Sequence, residues 1–233
     1  MAGIRTIEGI LNNDSDQYEI TVFGTEPYPN YNRIQLSKVL QGDNSLKDIT
    51  LNDWQWYEEN NIRLYPGETV TKIDKNQQVL YTDKGKTKGY DKLIIATGSN
   101  PFVLPLPGVN KEGVIAFRNI DDTETIVKYS KQYKKAAVIG GGLLGLEAAR
   151  GLLNLGMEVD VVHIHDYIME RQLDRTAGKL LQQELEKQGM NFHLNKVTTE
   201  IIGRKRVKGL QFNDGSQIKA DLNESSFLVF LIL

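Results

Sequence analysis

Strand and helix alternate through residues 136–194, a run of glycines joins the first of these strands to its helix, and an alternating β-meander spans 68–95. Together these observations predict an α/β protein with parallel sheets, flanking helices and an added meander. Parallel strands need crossover connections, and the strand–helix–strand order supplies them.

The elements follow in order. The chain opens in a helix, because Ile4, Ile7, Ile10 and Leu11 recur at helical spacing. Tyr18–Phe23 is a β-rich run that Gly24 ends, and Pro27 and Pro29 make the next connection irregular. Asn52 or Asp53 suits the N-cap of a helix through Asn60, and Ile62–Tyr65 follows as a short strand. ETVTKID, QVLYTD and KLIIATG are the expected meander strands, with Asp-Lys-Asn and Asp-Lys-Gly turns between them. Pro101, Pro105, Pro107 and Gly108 read as an extended linker, which sets domain boundaries at 1–108 and 109–222. Gly113–Phe117 reads as a strand, and Asp121 or Asp122 as the cap of a helix to about Tyr133.

AAVI (136–139) enters the glycine turn, and Leu143–Leu155 is a helix that stops at Gly156, a suitable C-cap residue. MEVDVVHI (157–164) is a strand, and Arg171–Gln188 an amphipathic helix with Leu173, Ala177, Leu180, Leu181 and Leu185 on one face. Met190–Leu194 is a further strand, leading to a hairpin around Asn213-Asp214-Gly215.

Composition narrows the function classes. Lys and Arg total 28 against 30 Asp and Glu, a formal net charge of −2. No basic excess points to nucleic acid and no polybasic run to a membrane surface. The absence of cysteine excludes disulfides, thiolate metal sites, Cys-ligated clusters and a Cys nucleophile. It leaves room for redox chemistry carried by an organic cofactor. MAGIRTIEGILNN does not read as a signal peptide. The longest apolar run, Phe227–Leu233, is far short of the roughly 20 residues of a spanning helix. A cytoplasmic protein is the expectation.

Gly140-Gly141-Gly142-Leu143-Leu144-Gly145 satisfies G-x-G-x-x-G in its required setting, after a strand and opening a helix. Gly140 permits the tight turn, Gly142 lets backbone approach a pyrophosphate, and Gly145 lets helix and strand pack closely. The N–H groups of the first helical turn, at Leu143 and Leu144, and the positive helix end favour a diphosphate. The blander reading is a glycine turn in a nucleotide-free α/β domain. His163 stands at the end of the second strand, where an acid would read the adenosine ribose. A histidine donates to a ribose hydroxyl without repelling a 2′-phosphate, so NADH and NADPH both stay open. Metal binding by His163, His165 and Asp166 is disfavoured because no third well-spaced ligand accompanies the histidine pair.

Similar logic recurs upstream. Glu26 follows the Tyr18–Phe23 strand closely, where a ribose-binding acid belongs, and Gly3 suits the third glycine of a turn before the opening helix. Ala96-Thr97-Gly98 lets backbone pass close to a bound cofactor, or is a plain strand-to-turn exit.

GTEPYPNYNRIQLSKVL, YDKLIIATGSNPF and AAVIGGGLLGLEAARGLLNLGMEV together resemble the flavin- and pyridine-nucleotide-dependent oxidoreductases with two dinucleotide domains. NYNRIQLSKVL and MERQLDRTAGKLLQ are similar in particular to the large-subunit family of bacterial assimilatory nitrite reductases. The likeness covers about residues 1–222. It implies two Rossmann-like dinucleotide-binding domains, one for FAD and one for NAD(P)H. By resemblance, Gly3 matches the last glycine of the FAD turn, Glu26 the acid on its ribose, and Arg33 and Lys38 the basic positions beside the flavin. Val70 matches the strand passing the adenine, and Ala96, Thr97 and Gly98 the segment closing over FAD. Gly140, Gly142 and Gly145 match the NAD(P) turn, and Glu147 the acid near the nicotinamide–flavin contact, where it would orient the rings. Solvated Arg33 and Lys38, and a Glu147 that complements the helix dipole, are the plainer alternatives.

Two departures stand out. The strand and two glycines expected before Gly3 are missing, so the FAD domain reads as incomplete. After Ala220-Asp221-Leu222 the chain turns to an atypical apolar tail, 223–233. The expectation is a module truncated at both ends that takes electrons from NAD(P)H through FAD toward iron–sulfur and sirohaem centres absent from this chain. Two rivals are a non-catalytic NAD(P)-binding remnant and a ferredoxin- or rubredoxin-reductase relative.

Overall fold

The computed structural model describes residues 1–13, 17–101, 103–219 and, for the backbone, 227–231. In chain order the elements are α1 (Ala2–Asn13), β1 (Thr21–Gly24), β2 (Asn30–Tyr31), a 3-10 turn (Arg33–Gln35), α2 (Leu36–Gln41), α3 (Leu46–Ile49), β3 (Thr50–Asn52), α4 (Trp54–Glu59) and β4 (Arg63–Pro66). A meander follows, β5 (Val70–Asp74), β6 (Val79–Thr82) and β7 (Thr87–Gly89). Next come β8 (Val114–Ala116), α5 (Ile120–Ser130), β9 (Lys135–Ile139), α6 (Leu143–Asn154), β10 (Glu158–Val162), α7 (Arg175–Lys187) and β11 (Met190–His193). The last strands are β12 (Thr198–Gly203), β13 (Val207–Phe212), β14 (Gln217–Lys219) and β15 (Phe227–Leu231). Two compact units form, Met1–Asn32 with Lys47–Ser99, and Arg33–Leu46 with Asn100–Leu233.

In the first unit β1 and β4 pair in parallel. The apolar stripe of α1 buries Ile4 and Ile7 against Tyr57 and Ile62. Asp53 caps α4 by accepting the Trp56 N–H. The meander pairs antiparallel, β5–β6–β7. Here one expectation fails, because the third meander strand is Thr87–Gly89 and KLIIATG (92–98) is not a strand. Ile94 and Ile95 are 55% and 67% exposed. An apolar run becomes a strand only when its N–H and C=O groups meet a ladder. Among the described residues none pairs with 92–98.

The second unit holds a parallel sheet in the order β11-β10-β9-β15-β8. Its strands alternate as period-two geometry demands. Ala136, Val138, Val159 and Val161 face a core shared with Leu146, Ala149 and Leu152 of α6, Ile126 of α5 and Leu40 of α2. Ala137, Ile139 and Val162 face the other way, onto Ile201, Leu210 and Phe212 of the antiparallel sheet β12-β13-β14. Helices therefore cover one face and a second sheet the other, where flanking helices alone were expected. The expected linker also packs, with Leu104, Leu106 and Val109 against this second core.

Two helix starts differ from the sequence reading. Asn119, not an aspartate, caps α5, and Asp122 closes the capping box from three residues on. Asp174 caps α7 by accepting the Ala177 N–H, so the helix starts at Arg175, later than expected. Leu180, assigned to the apolar face, is 62% exposed. The apolar tail forms a strand, β15, between β9 and β8. The stretch 220–226 and the side chains of the tail lie outside the described residues.

Candidate dinucleotide-binding site

The site of the second unit grows from the glycine run between β9 and α6. Gly140 has φ +129, a backbone state that side chains disfavour, and its N–H meets the Val162 carbonyl of β10 at 2.9 Å. A Cβ on Gly145 would sit 1.9 Å from the Gly140 carbonyl oxygen, so helix and turn touch backbone to backbone. A Cβ on Gly142 would meet nothing within 4 Å. Gly142 is the N-cap of α6 and supplies no side-chain hydrogen bond. The first-turn residues Leu143 and Leu144 are exposed. A helix start with uncapped N–H groups and an open backbone face fits an anionic diphosphate.

Gly141 has a function that the sequence reading did not assign. Its N–H donates to His163 Nδ1 at 3.1 Å, and its carbonyl accepts the Met169 N–H at 3.0 Å. A Cβ there would lie 2.8 Å from His163 Cγ. His163 is only 6% exposed. Because Nδ1 accepts, the proton of the neutral ring sits on Nε2, which donates to Glu170 Oε2 at 2.9 Å. Burial, opposed by the Glu170 charge, pushes the imidazole below its ordinary pKa and so favours this neutral form. The ring has no second proton for a ribose hydroxyl, unlike the donor role expected of it.

The β10–α7 loop is pinned to this turn. Ile168 is fully buried, and Met169 holds φ +58 at a cost of about 1–2 kcal/mol. On its other side Gly178 of α7 lets the helix press close, since a Cβ there would be 2.7 Å from the Ile168 carbonyl oxygen. Glu170 therefore has a fixed place. Burial alone would raise its pKa, but its own backbone N–H and the two nearby histidines outweigh burial and hold it below the ordinary value. His165 Nε2 stands 3.8 Å from Glu170 Oε1. Among the described residues no group of three or more His, Asp or Glu is placed to hold a metal ion.

The remaining expected residues divide between the units. Gly3, Glu26, Val70, Ala96, Thr97 and Gly98 belong to the first. There a Cβ on Gly3 would lie 3.3 Å from Ala96 Cβ, and Glu26 Oε2 accepts the Tyr31 hydroxyl at 2.5 Å. Ala96, Thr97 and Gly98 are exposed, with Gly98 at φ +70. A small residue facing the start of α1 and a carboxylate just past β1 fit a nucleotide, although Tyr31 already takes one lone pair of that carboxylate. Arg33 and Lys38 belong to the second unit, where Arg33 Nη1 donates to the Arg118 carbonyl at 2.7 Å and Lys38 is exposed. Glu147 lies on α6, its carbonyl accepting from Gln41 at 3.3 Å. Gly141 and Glu170 were missed. Three glycines in a row, where the motif needs two in that stretch, were a signal for the first. Nothing in the spacing pointed to the second.

A parallel β–glycine turn–α–β unit with an open diphosphate face at the helix start is the arrangement of a dinucleotide-binding protein. The chain belongs to the pyridine nucleotide-disulphide oxidoreductase family, whose model matches residues 1–223. It is 65% identical over 95% of its length to an NAD(P)H nitrite reductase of Bacillus subtilis (strain 168), and covers 28% of that protein. It is 54% identical over 95% of its length to the assimilatory nitrate reductase electron transfer subunit of the same organism, and covers 29% of it. The fold is also that of an NAD-dependent persulfide reductase from A. fulgidus, with TM-score 0.89, 26% identity and coverage of 99% of this chain and 43% of that one. The chain thus spans under a third of the length of these two Bacillus subtilis relatives. No helix among the described residues is long and apolar enough to cross a membrane.

Proposed function

We propose that this chain is the nucleotide-binding module of a cytoplasmic reductase. It would take electrons from NAD(P)H through FAD toward iron–sulfur and sirohaem centres carried outside this sequence, with nitrite as the final acceptor. The observation that carries the reading is the glycine turn, with its closed Gly140–Gly145 contact and its open Gly142 face. The relatives' names, a nitrite reductase and a nitrate-reductase electron transfer subunit, support the acceptor class. The bound cofactors supply hydride and single-electron chemistry. The chain's own residues do the holding. Gly140, Gly142, Leu143, Leu144 and Gly145 cradle the nicotinamide nucleotide's diphosphate. Gly3, Glu26, Val70 and Ala96–Gly98 hold the flavin nucleotide in the first unit. Glu147 orients the nicotinamide ring.

One observation favours a second reading, retention of nicotinamide nucleotide without flavin. The segment 92–98, whose Ala96-Thr97-Gly98 end was expected to close over FAD, lies outside any described ladder with Ile94 and Ile95 exposed. The visible spectrum of the purified full chain, followed by NADH titration, separates the two. Flavin absorption bleached by NADH supports the module. A colourless protein that binds NADH supports the second reading, and a protein that binds neither overturns both.

A further inference from the structure

His163 occupies the first position beyond β10, where dinucleotide sites place the residue that reads the adenosine ribose. Its ring is fully engaged, since Nδ1 takes the Gly141 N–H and the Nε2 proton goes to Glu170. The group on the far side of this ring from the glycine turn's N–H is the Glu170 carboxylate, 2.9 Å from Nε2. We propose that Glu170 is the residue that reads the adenosine ribose of the nicotinamide nucleotide, with His163 as its positioning residue, and that it makes the chain select NADH over NADPH. The proposal rests on the nicotinamide-nucleotide reading above and deepens it.

Three features support the assignment. Placement is tight, because Met169 is tied to the Gly141 carbonyl on one side and Gly178 lets α7 close on the loop from the other. The hydrogen bond to His163 thus fixes the carboxylate relative to the very turn that cradles the diphosphate. Access remains, since the Glu170 side chain is 23% exposed. Its oxygens also have capacity beyond the bonds from His163 and its own backbone N–H, as a carboxylate offers about four lone-pair sites. Arg175, at the start of α7, is ion-paired with Asp166 and lies over the Tyr167 ring, while Arg171, next to Glu170 in the chain, is exposed. A carboxylate accepts hydrogen bonds from the ribose hydroxyls and repels a 2′-phosphate at the same place.

The test is calorimetric titration of NADH and of NADPH into the full chain and into Glu170→Gln, an isosteric change at a partly exposed site. The wild-type chain is expected to bind NADH about tenfold or more tightly than NADPH. In Glu170→Gln that ratio falls toward one, chiefly because NADPH binds better. A wild-type ratio near or below one overturns the proposal, and so does a ratio that Glu170→Gln leaves unchanged, while in both cases the nucleotide reading stands. Failure of the wild-type chain to bind either nucleotide overturns that reading, and the proposal with it.

Discussion

Two alanine substitutions in one turn are expected to act in opposite ways. Gly145→Ala places a methyl 1.9 Å from the Gly140 carbonyl oxygen and 2.9 Å from its carbon, and both neighbours are backbone. No side-chain rotation relieves such a contact, so α6 must lift from β9 or the turn must open. Overpacking of this kind costs about 1–3 kcal/mol, and a backbone obstacle puts this case at about 3. For a unit of this size that lowers the midpoint of thermal unfolding by about 6–12 °C. Gly142→Ala meets nothing within 4 Å and keeps an ordinary backbone, φ −85 and ψ −177. Its effect on stability is expected to stay within about 1 kcal/mol, the scale of an N-cap preference. Its methyl, however, fills the face left open for the diphosphate, so NADH affinity falls at least about tenfold. Calorimetric unfolding and NADH titration on both variants measure the contrast. A Gly145→Ala protein as stable as wild type, or a Gly142→Ala protein with undiminished NADH affinity, would refute the reasoning.

Other expectations concern buried polar groups. Asp160, buried in β10, meets His193 Nε2 at 2.8 Å and, as an ion pair outside hydrogen-bond geometry, Lys135 Nζ at 3.3 Å. Burial raises its pKa, the His193 hydrogen bond and the Lys135 charge outweigh burial, and the net shift is downward. Its contribution is therefore present above the ordinary aspartate pKa and lost as pH falls through the lowered folded value. Asp160→Asn is expected to cost about 2–3 kcal/mol in urea unfolding at neutral pH, and a loss near zero contradicts this. His163 must be neutral to accept the Gly141 N–H, and its folded pKa is depressed, chiefly by burial. The stability it confers is complete above the ordinary histidine value of about 6.5 and is lost as pH falls through the folded value. Unfolding measured from pH 7 to 5 is expected to show that slope, and His163→Asn to flatten it. Among the described residues the fully buried Tyr133 hydroxyl has no hydrogen-bond partner, so Tyr133→Phe is expected to stabilise by about 1 kcal/mol. A lower unfolding midpoint contradicts that.

The strand–helix alternation after residue 135 was legible because each element carries its own period and its own stop, as at Gly156 beyond α6 and Gly189 beyond α7. The motif's setting was legible for the same reason. Tertiary partners were not. KLIIATG has the composition of a strand, but a strand exists only with a ladder, and no local pattern reports whether one is present. The end of β10 shows the same limit at the site. His163 was visible at the right position, yet its ring engagement depends on Gly141 and on a glutamate brought back by a loop with a left-handed Met169. Side-chain identity alone gave no account of which atoms would remain free.

Amide-resolved NMR during an NADH titration of the full chain tests the central claim most directly. The account predicts saturable binding, with the largest shifts at the backbone amides of Gly142, Leu143 and Leu144. No saturable binding, or shifts centred away from this turn, would contradict it.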